Sequence, residues 1–126
     1  METPPATILI VDDDERNRKL LDVFARADGH QTISARDGEE ALLLAAAHAP
    51  DLILLDLMMP GMDGFDLLRR LKDHPATQSI PLIIVSALND VASGQRIAAS
   101  GVDDFIRKPV DRWELSLRMC RLLRHG

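Results

Sequence analysis

Ionisable and hydroxyl side chains stand at the ends of four short apolar segments in this sequence. Asp12 and Asp13 follow "TILIV", Asp56 follows "DLILL", Ser86 follows "PLIIV", and Lys108 comes just after "VDDFI". Such segments are typical of strands in a parallel sheet, where functional groups gather beyond the carboxyl ends of the strands. We therefore expect these side chains to meet at one edge of a sheet.

The carboxylates in this group predict a bound cation. Neighbouring strands lie about 4.8 Å apart, so Asp12 or Asp13 would come close to Asp56 if the first and third strands are neighbours. Carboxylates at such a separation repel each other unless a proton or a cation intervenes. Oxygen ligands suit Mg²⁺, whereas the histidine and cysteine ligands typical of zinc do not occur at these positions.

The lysine and the hydroxyl supply the remaining parts of a phosphoryl-transfer site. Lys108 carries a mobile positive charge suited to a phosphoryl oxygen, and Ser86 offers a hydroxyl donor. Together with Mg²⁺ they would stabilise the charge on a phosphoryl group that moves onto a carboxylate. Asp14, the third of the consecutive acids, is expected to cap the following helix instead.

Apolar segments alternate with helical patterns five times along the chain. The predicted strands cover residues 7–11, 31–35, 51–55, 81–85 and 102–106, and the predicted helices cover about 14–28, 37–48, 63–74, 90–100 and 111–124. Asp37 and Glu40 have the spacing of a capping box at the start of the second helix. This alternation predicts an α/β fold with a parallel sheet and helices on both faces.

The composition fits one globular domain over residues 1–126. A hydrophobic content of 46% and a charged content of 28% are ordinary for a soluble protein. No apolar run approaches the roughly 18 residues of a membrane span, and the start lacks the pattern of a signal peptide, so a cytoplasmic protein without membrane contact is expected. The net charge of −5 argues against direct nucleic-acid binding. The four histidines, which stand at predicted helix ends or loops, are expected to be solvated: His30, His48, His74 and His125.

Four segments in order resemble the receiver domain of two-component response regulators. They are "ILIVDDDE" (8–15), "DLILLDLMMPGMDG" (51–64), "PLIIVSA" (81–87) and "GVDDFIRKP" (101–109). The chain is similar over essentially its whole length to the single-domain chemotaxis regulator of that family. The resemblance implies a flavodoxin-like, doubly wound sheet of five parallel strands in the order 2-1-3-4-5.

The resemblance also implies a role for each residue of the predicted site. Asp56 would accept the phosphoryl group from a sensor histidine kinase or a histidine phosphotransfer protein. The Mg²⁺ ligands would be Asp13, Asp56, the backbone carbonyl of Met58 and, through an assisting role, Asp12. Lys108 and Ser86 would contact the phosphoryl group, Ser86 and Phe105 would act as switch residues, and the Lys108–Pro109 peptide bond would be cis. Such a domain is a phosphoacceptor switch that helps catalyse its own phosphorylation and dephosphorylation, and not a turnover enzyme.

Four positions bear on how this chain departs from the family. Ser86 replaces the commoner threonine, and Phe105 replaces the commoner tyrosine, which leaves packing without a hydroxyl hydrogen bond. In the family, the residues two after the phosphorylated aspartate and two after the Ser/Thr influence how water reaches the acyl phosphate. Here they are Met58 and Leu88, and neither side chain can orient an attacking water. We therefore predict slow autodephosphorylation, with a lifetime of minutes or longer.

The last predicted helix carries two apolar stripes on nearly opposite sides. One stripe contains Leu115, Met119 and Leu122, and the other contains Trp113, Leu117 and Cys120. Alignment with the family from Lys108–Pro109 implies that Leu115 and Met119 face inward, so the second stripe should be exposed among arginines. An exposed apolar strip predicts a partner surface. With the fourth helix and the fifth strand, it would form a homodimer interface or a surface for a downstream protein target or output domain.

Other interpretations of the strand-end aspartate stay open at this point. A phosphatase of the haloacid dehalogenase type also uses such a nucleophile with Mg²⁺, but it needs a second acid two residues on, where this chain has Met58. A flavodoxin-like carrier of flavin mononucleotide needs a phosphate loop after the first strand, where "DDDERN" would repel phosphate. The chain is also compatible with being the receiver part of a larger regulator whose output domain is missing.

Overall fold

The predicted apolar segments form one parallel sheet in the computed structural model of the protein, which describes residues 5–59, 62–87 and 91–124. Seven strands are present in these residues: β1 Thr7–Val11, β2 Gln31–Ala35, β3 Leu52–Leu55, β4 Met58–Met59, β5 Met62–Asp63, β6 Leu82–Ser86 and β7 Asp104–Arg107. The main sheet has the order β2-β1-β3-β6-β7, all parallel. Counted without the small antiparallel pair of β4 and β5, this is the order 2-1-3-4-5, and the predicted fold class is confirmed.

The helices lie close to their predicted limits. They are α1 Glu15–Ala27, α2 Gly38–His48, α3 Gly64–Asp73, α4 Val91–Ala99 and α5 Arg112–Arg124. Asp14 caps α1 by accepting a hydrogen bond from the Arg16 amide at 2.9 Å, as predicted. Asp37 caps α2 by accepting from the Glu40 amide at 2.9 Å, and the Glu40 carboxylate accepts in return from the Arg36 amide. Among the described helices, none is both long and apolar enough to cross a membrane.

The sheet separates two hydrophobic cores. Alternate residues of β1 point to opposite faces, so Ile8 and Ile10 join the core under α1 and α5, whereas Leu9 and Val11 join the core under α2, α3 and α4. Because both faces are covered, the central strands are apolar at every position before their last residue. This double coverage explains why the strand segments show no polar alternation in the sequence.

The register of the sheet brings the strand ends to one edge. Val11 of β1 pairs with Ala35 of β2 on one side and with Leu55 of β3 on the other. Beyond the last pairs, the Asp56 amide donates to the Val11 carbonyl, and the Lys108 amide donates to the Ser86 carbonyl, each at 2.9 Å. The residues that follow the strands are therefore held rigidly beside one another.

One histidine lies elsewhere than the sequence indicated. His30 is 5% exposed and therefore buried, so its prediction as a solvated residue is wrong. Its amide donates to the Ala25 carbonyl at 3.2 Å, after Gly29 ends α1 with a φ of 89°. Its Nδ1 accepts a hydrogen bond from the Ala6 amide at 3.1 Å. The ring thus joins the end of α1 to the segment that leads into β1, and this tertiary contact leaves no periodic signal in the sequence.

Candidate functional site

Three carboxylates converge beyond the ends of β1 and β3. Asp12, Asp13 and Asp56 each offer an oxygen atom, and these oxygen atoms lie within 4.8 Å of one another. Asp12 is fully buried and Asp56 is 5% exposed, whereas Asp13 faces solvent. The two strands are direct neighbours in the sheet, which is the arrangement that the predicted cation site required.

Lys108 reaches into this carboxylate cluster from the end of β7. Its Nζ lies 3.2 Å from Asp12 Oδ2 and 3.4 Å from Asp56 Oδ2, and its side chain is only 19% exposed. Three carboxylates and one ammonium leave a formal excess of two negative charges at this edge. That excess matches a divalent cation with oxygen ligands.

The aspartates differ in how many contacts they already make. Asp12 Oδ1 accepts from the Asp14 amide at 2.9 Å, and Asp12 Oδ2 accepts from Lys108, so both oxygens have partners. In the part of the chain that the structure describes, no hydrogen bond or ion pair engages the Asp13 carboxylate. The donor chemistry of this cluster, oxygen atoms of three carboxylates within 4.8 Å of one another, therefore fits Mg²⁺.

The other predicted site residues surround the cluster. Ser86 is fully buried at the end of β6, next to β3, and its carbonyl accepts from the Lys108 amide. Phe105 is half-buried in β7 opposite Ile84 and packs against the core under α2, α3 and α4. The Lys108–Pro109 peptide bond is cis, in agreement with the prediction.

Two predicted positions fall in or near the residues that are not described. Met58 lies in β4, and its backbone pairs with Asp63 of β5 in an antiparallel ladder. Its role as a carbonyl ligand stays a prediction. Leu88 lies outside the described residues, and so do Pro60 and Gly61 between β4 and β5.

The predicted stripes of α5 face opposite directions. Leu115 and Met119 are fully buried against the sheet, whereas Trp113 is 68% exposed and Leu117 is 62% exposed. Cys120 differs from the prediction because it is half-buried rather than exposed. The Arg112 guanidinium stacks over the Trp113 ring, 4.6 Å from its centroid. The exposed strip therefore consists of Trp113 and Leu117 among arginines.

Two residues of structural importance at the site have no clear signal in the sequence. Arg18 of α1 donates a hydrogen bond from Nη1 to the Asp12 carbonyl at 2.8 Å. Gly64 begins α3, where a Cβ atom would lie 2.4 Å from Leu57 Cα, directly after Asp56. The position of Arg18 inside α1 does not indicate a contact with the strand end, and Gly64 stands out only as the last residue of a segment that resembles the family.

Comparisons with known proteins agree on one family. A family model described as the response regulator receiver domain matches residues 8–119. Response regulator PleD of Caulobacter vibrioides is 46% identical over 121 residues, which cover 94% of this chain and only 26% of that relative. The structure of a response regulator from Chloroflexus aurantiacus J-10-fl has a TM-score of 0.89 at 33% identity and covers 95% of this chain and 98% of that chain. The receiver domain of sensor histidine kinase PA1611 from Pseudomonas aeruginosa has a TM-score of 0.88 at 25% identity, with coverages of 95% and 98%.

Proposed function

The chain belongs to the family of response regulator receiver domains, and we propose that Asp56 is the residue through which it receives a phosphoryl group. Members of this family are phosphorylation-dependent signalling switches and generally not enzymes in the usual sense. The observation that carries the assignment is the position of the Asp56 carboxylate, which is buried at a strand end, 3.4 Å from Lys108 Nζ and within 4.8 Å of the Asp12 and Asp13 oxygens.

In the proposed reaction, an Asp56 carboxylate oxygen attacks the phosphorus of a phosphohistidine on a sensor histidine kinase or a histidine phosphotransfer protein. The new bond joins phosphorus to oxygen, and the bond from phosphorus to the histidine nitrogen breaks. Asp56 loses its negative charge as the acyl phosphate forms, so its attraction for Lys108 falls. Lys108 is then available to the phosphoryl oxygens, and the Ser86 hydroxyl donates to the same group.

Receiver domains bind Mg²⁺ in an acidic pocket, and the carboxylate cluster supports the same role here. Asp13 and Asp56 would hold the ion directly, with Asp12 assisting and the Met58 carbonyl as a further proposed ligand. When bound, Mg²⁺ supplies positive charge to the phosphoryl oxygens. The receiver domain of PA1611 was crystallised with a magnesium ion coordinated in its active site cleft.

We place the output on the face formed by α4, β7 and α5. Trp113, Leu117 and the half-buried Cys120 would contact a second copy or a downstream protein, and Phe105 would pass the state of the site to this face by packing. Arg118 joins α5 to β7 by an ion pair with Asp104, so the two elements would respond together. We expect no direct contact with nucleic acid or membrane, and the cytoplasmic location stays a prediction.

Two alternatives have unequal support. The chain spans about a quarter of the length of PleD, and the alternative that it is the receiver part of a larger regulator with an output domain stays open. A phosphatase of the haloacid dehalogenase type is less favoured, because Met58 stands where the second acid is needed.

The proposal predicts phosphorylation at a single residue. Purified protein incubated with phosphoramidate and Mg²⁺ should gain the mass of one phosphoryl group, and Asp56→Asn should gain none. Asp51→Asn is the matched control, because Asp51 adjoins the opposite end of β3, where it accepts only from the Thr7 amide among the contacts of the described residues. A mass shift that persists in Asp56→Asn would contradict the assignment.

After the phosphoryl donor is removed, the mass shift should decay over minutes or longer. Decay within seconds would contradict the slow autodephosphorylation expected from Met58 and Leu88.

A further inference from the structure

The main chain of Asp12 is held by a side chain that the proposed reaction does not use. Arg18 Nη1 donates to the Asp12 carbonyl oxygen at 2.8 Å. This carbonyl lies just past the end of β1 at Val11 and belongs to a fully buried residue. We propose that Arg18 is a positioning residue that aims the Asp13 carboxylate at the magnesium ion, an inference that rests on the proposed metal-assisted function.

The geometry of the peptide unit connects the two residues. The Asp12 carbonyl oxygen belongs to the same planar group as the Asp13 nitrogen and Cα, so a contact that fixes this oxygen also fixes the orientation of that plane. Together with the next peptide plane, which contains the Asp14 nitrogen, it fixes the direction in which the Asp13 side chain leaves the backbone. In the peptide unit that follows Asp13, the Asp14 amide donates a hydrogen bond to Asp12 Oδ1 at 2.9 Å. Asp13 therefore lies between two anchored residues.

Arg18 is itself on a rigid support. It lies in the first turns of α1, where its amide donates to the Asp14 carbonyl at 3.0 Å. In the described part of the chain, the exposed Asp13 carboxylate has no hydrogen bond of its own to fix it. Before the ion binds, the backbone therefore sets only where the Asp13 side chain starts, and the Arg18 contact is one of the two that hold this backbone.

Charge and positioning predict opposite effects of removing Arg18. The guanidinium is a cation close to a cation site, so its removal by charge alone should tighten Mg²⁺ binding. If Arg18 positions Asp13, its removal should weaken Mg²⁺ binding, because partners that orient metal ligands contribute about tenfold or more to affinity. The sign of the change therefore separates the two roles.

The experiment is a calorimetric titration of Mg²⁺ into the wild type, Arg18→Gln, Arg18→Lys and Lys19→Gln. Lys19 is exposed on the same helix, so Lys19→Gln removes an equal charge without touching the strand end. We expect Arg18→Gln to raise the Kd for Mg²⁺ about tenfold, Arg18→Lys to restore part of the affinity, and Lys19→Gln to leave it unchanged or slightly tighter. Phosphorylation of Arg18→Gln by phosphoramidate should be slow at limiting Mg²⁺ and should recover at saturating Mg²⁺.

Each outcome decides the inference. An Arg18→Gln variant that binds Mg²⁺ as tightly as the wild type or more tightly would overturn it. A wild type that binds no Mg²⁺ would instead overturn the proposed metal site, and the positioning role with it. Thermal unfolding in the presence of a chelator verifies that each variant is folded. If Arg18→Gln is unfolded, Arg18→Met retains the apolar stem without a donor and carries the same expectation.

Discussion

The three carboxylates of the cluster differ in what their oxygen atoms already contact, and this difference suggests different roles. Asp12 is buried with both oxygens engaged, so we propose that it serves mainly as a fixed charge that holds Lys108. Asp13 is exposed and unengaged among the described residues, which suits a ligand that exchanges ion and water. Asp56 shares Lys108 with Asp12, and that shared lysine would follow the phosphoryl group when Asp56 loses its charge.

Also at the residue scale, we expect His30 to make the stability of the fold depend on pH. Burial lowers the pKa of the His30 imidazole, and this effect outweighs the opposing influence of Asp28 and Asp51. The unfolded chain therefore takes up a proton first, near its pKa of about 6.5. Stability should be complete above that pH and should decline as the pH falls toward the lower pKa of the folded state, where protonation also removes the acceptor of the Ala6 amide.

Urea unfolding at pH 7.5 and 5.5 measures this decline (about one pH unit either side of the unfolded pKa). His30→Gln removes the titration while leaving an acceptor, so its free energy of unfolding should fall less than that of the wild type between the two pH values. His48→Gln is the matched control, because His48 is exposed at the end of α2, and it should show the wild-type decline. An equal decline in His30→Gln would contradict the assignment to His30.

At the scale of elements, the sequence predicted most of what local patterns determine. Strands covered on both faces are apolar throughout, and β1 and β2 agree with the prediction at both ends. The fifth predicted strand, 102–106, is β7 at Asp104–Arg107 instead, and just before it the Asp103 carboxylate accepts from the Leu82 amide at 2.8 Å. The pair of β4 and β5 was not predicted, since two-residue strands leave no periodicity.

The site residues that directly follow strands could be predicted from the sequence, whereas those that contact the site from elsewhere could not. Asp12, Asp13, Asp56 and Lys108 follow strands whose neighbours could be inferred, so their convergence was predictable. Arg18 and His30 each contact a backbone group at one end of β1, the Asp12 carbonyl and the Ala6 amide respectively. Such contacts depend on how α1 packs on the sheet, which no spacing within α1 reveals.

Gly64 makes the junction of β3 and α3 sensitive to one added carbon. A Cβ atom there would lie 2.4 Å from Leu57 Cα and 2.7 Å from the Leu57 carbonyl oxygen, and these are backbone atoms that cannot rotate away. Gly64→Ala should therefore lower the free energy of unfolding by about 1–3 kcal/mol. Because Leu57 follows Asp56 directly, the variant should also be phosphorylated more slowly. Urea unfolding and the rate of the phosphoryl mass shift are the measurements.

Gly94 provides the matched control for this prediction. It lies inside α4, is exposed, and a Cβ atom there would meet nothing within 4 Å. Gly94→Ala should raise the free energy of unfolding by about 0.5–1 kcal/mol, because alanine loses less backbone entropy than glycine in a helix. If both variants change stability in the same direction, close approach at Leu57 does not explain the glycine at position 64.

At the scale of the whole molecule, two strands connect the phosphoryl site with the helices of the proposed output face. Ser86 ends β6, which leads toward α4, and Lys108 follows β7, which leads into α5. A change in the contacts of these two residues can therefore reach both sides of the sheet. A coupling of about 1–3 kcal/mol between the two regions would be enough for a useful switch.

The exposed strip on α5 predicts a change of assembly state with phosphorylation. Trp113 and Leu117 present apolar surface to solvent, flanked by Arg112, so a second copy that covers them would gain from their burial. Sedimentation velocity with beryllium fluoride and Mg²⁺, as a mimic of the phosphorylated state, should show a larger dimer fraction than without it. Leu117→Ala should weaken the dimer by about 1.5 kcal/mol, which is about tenfold in Kd.

Leu43→Ala is the matched control for this dimer, because Leu43 is 71% exposed on α2, which packs on the other face of the sheet. It should leave the dimer fraction unchanged, since it removes the same side chain from a surface outside the proposed interface. Equal weakening by both variants would show that the assembly does not use α5 specifically. A strict monomer with and without the mimic would remove the homodimer version, and the exposed strip would then be left to a different protein as its partner.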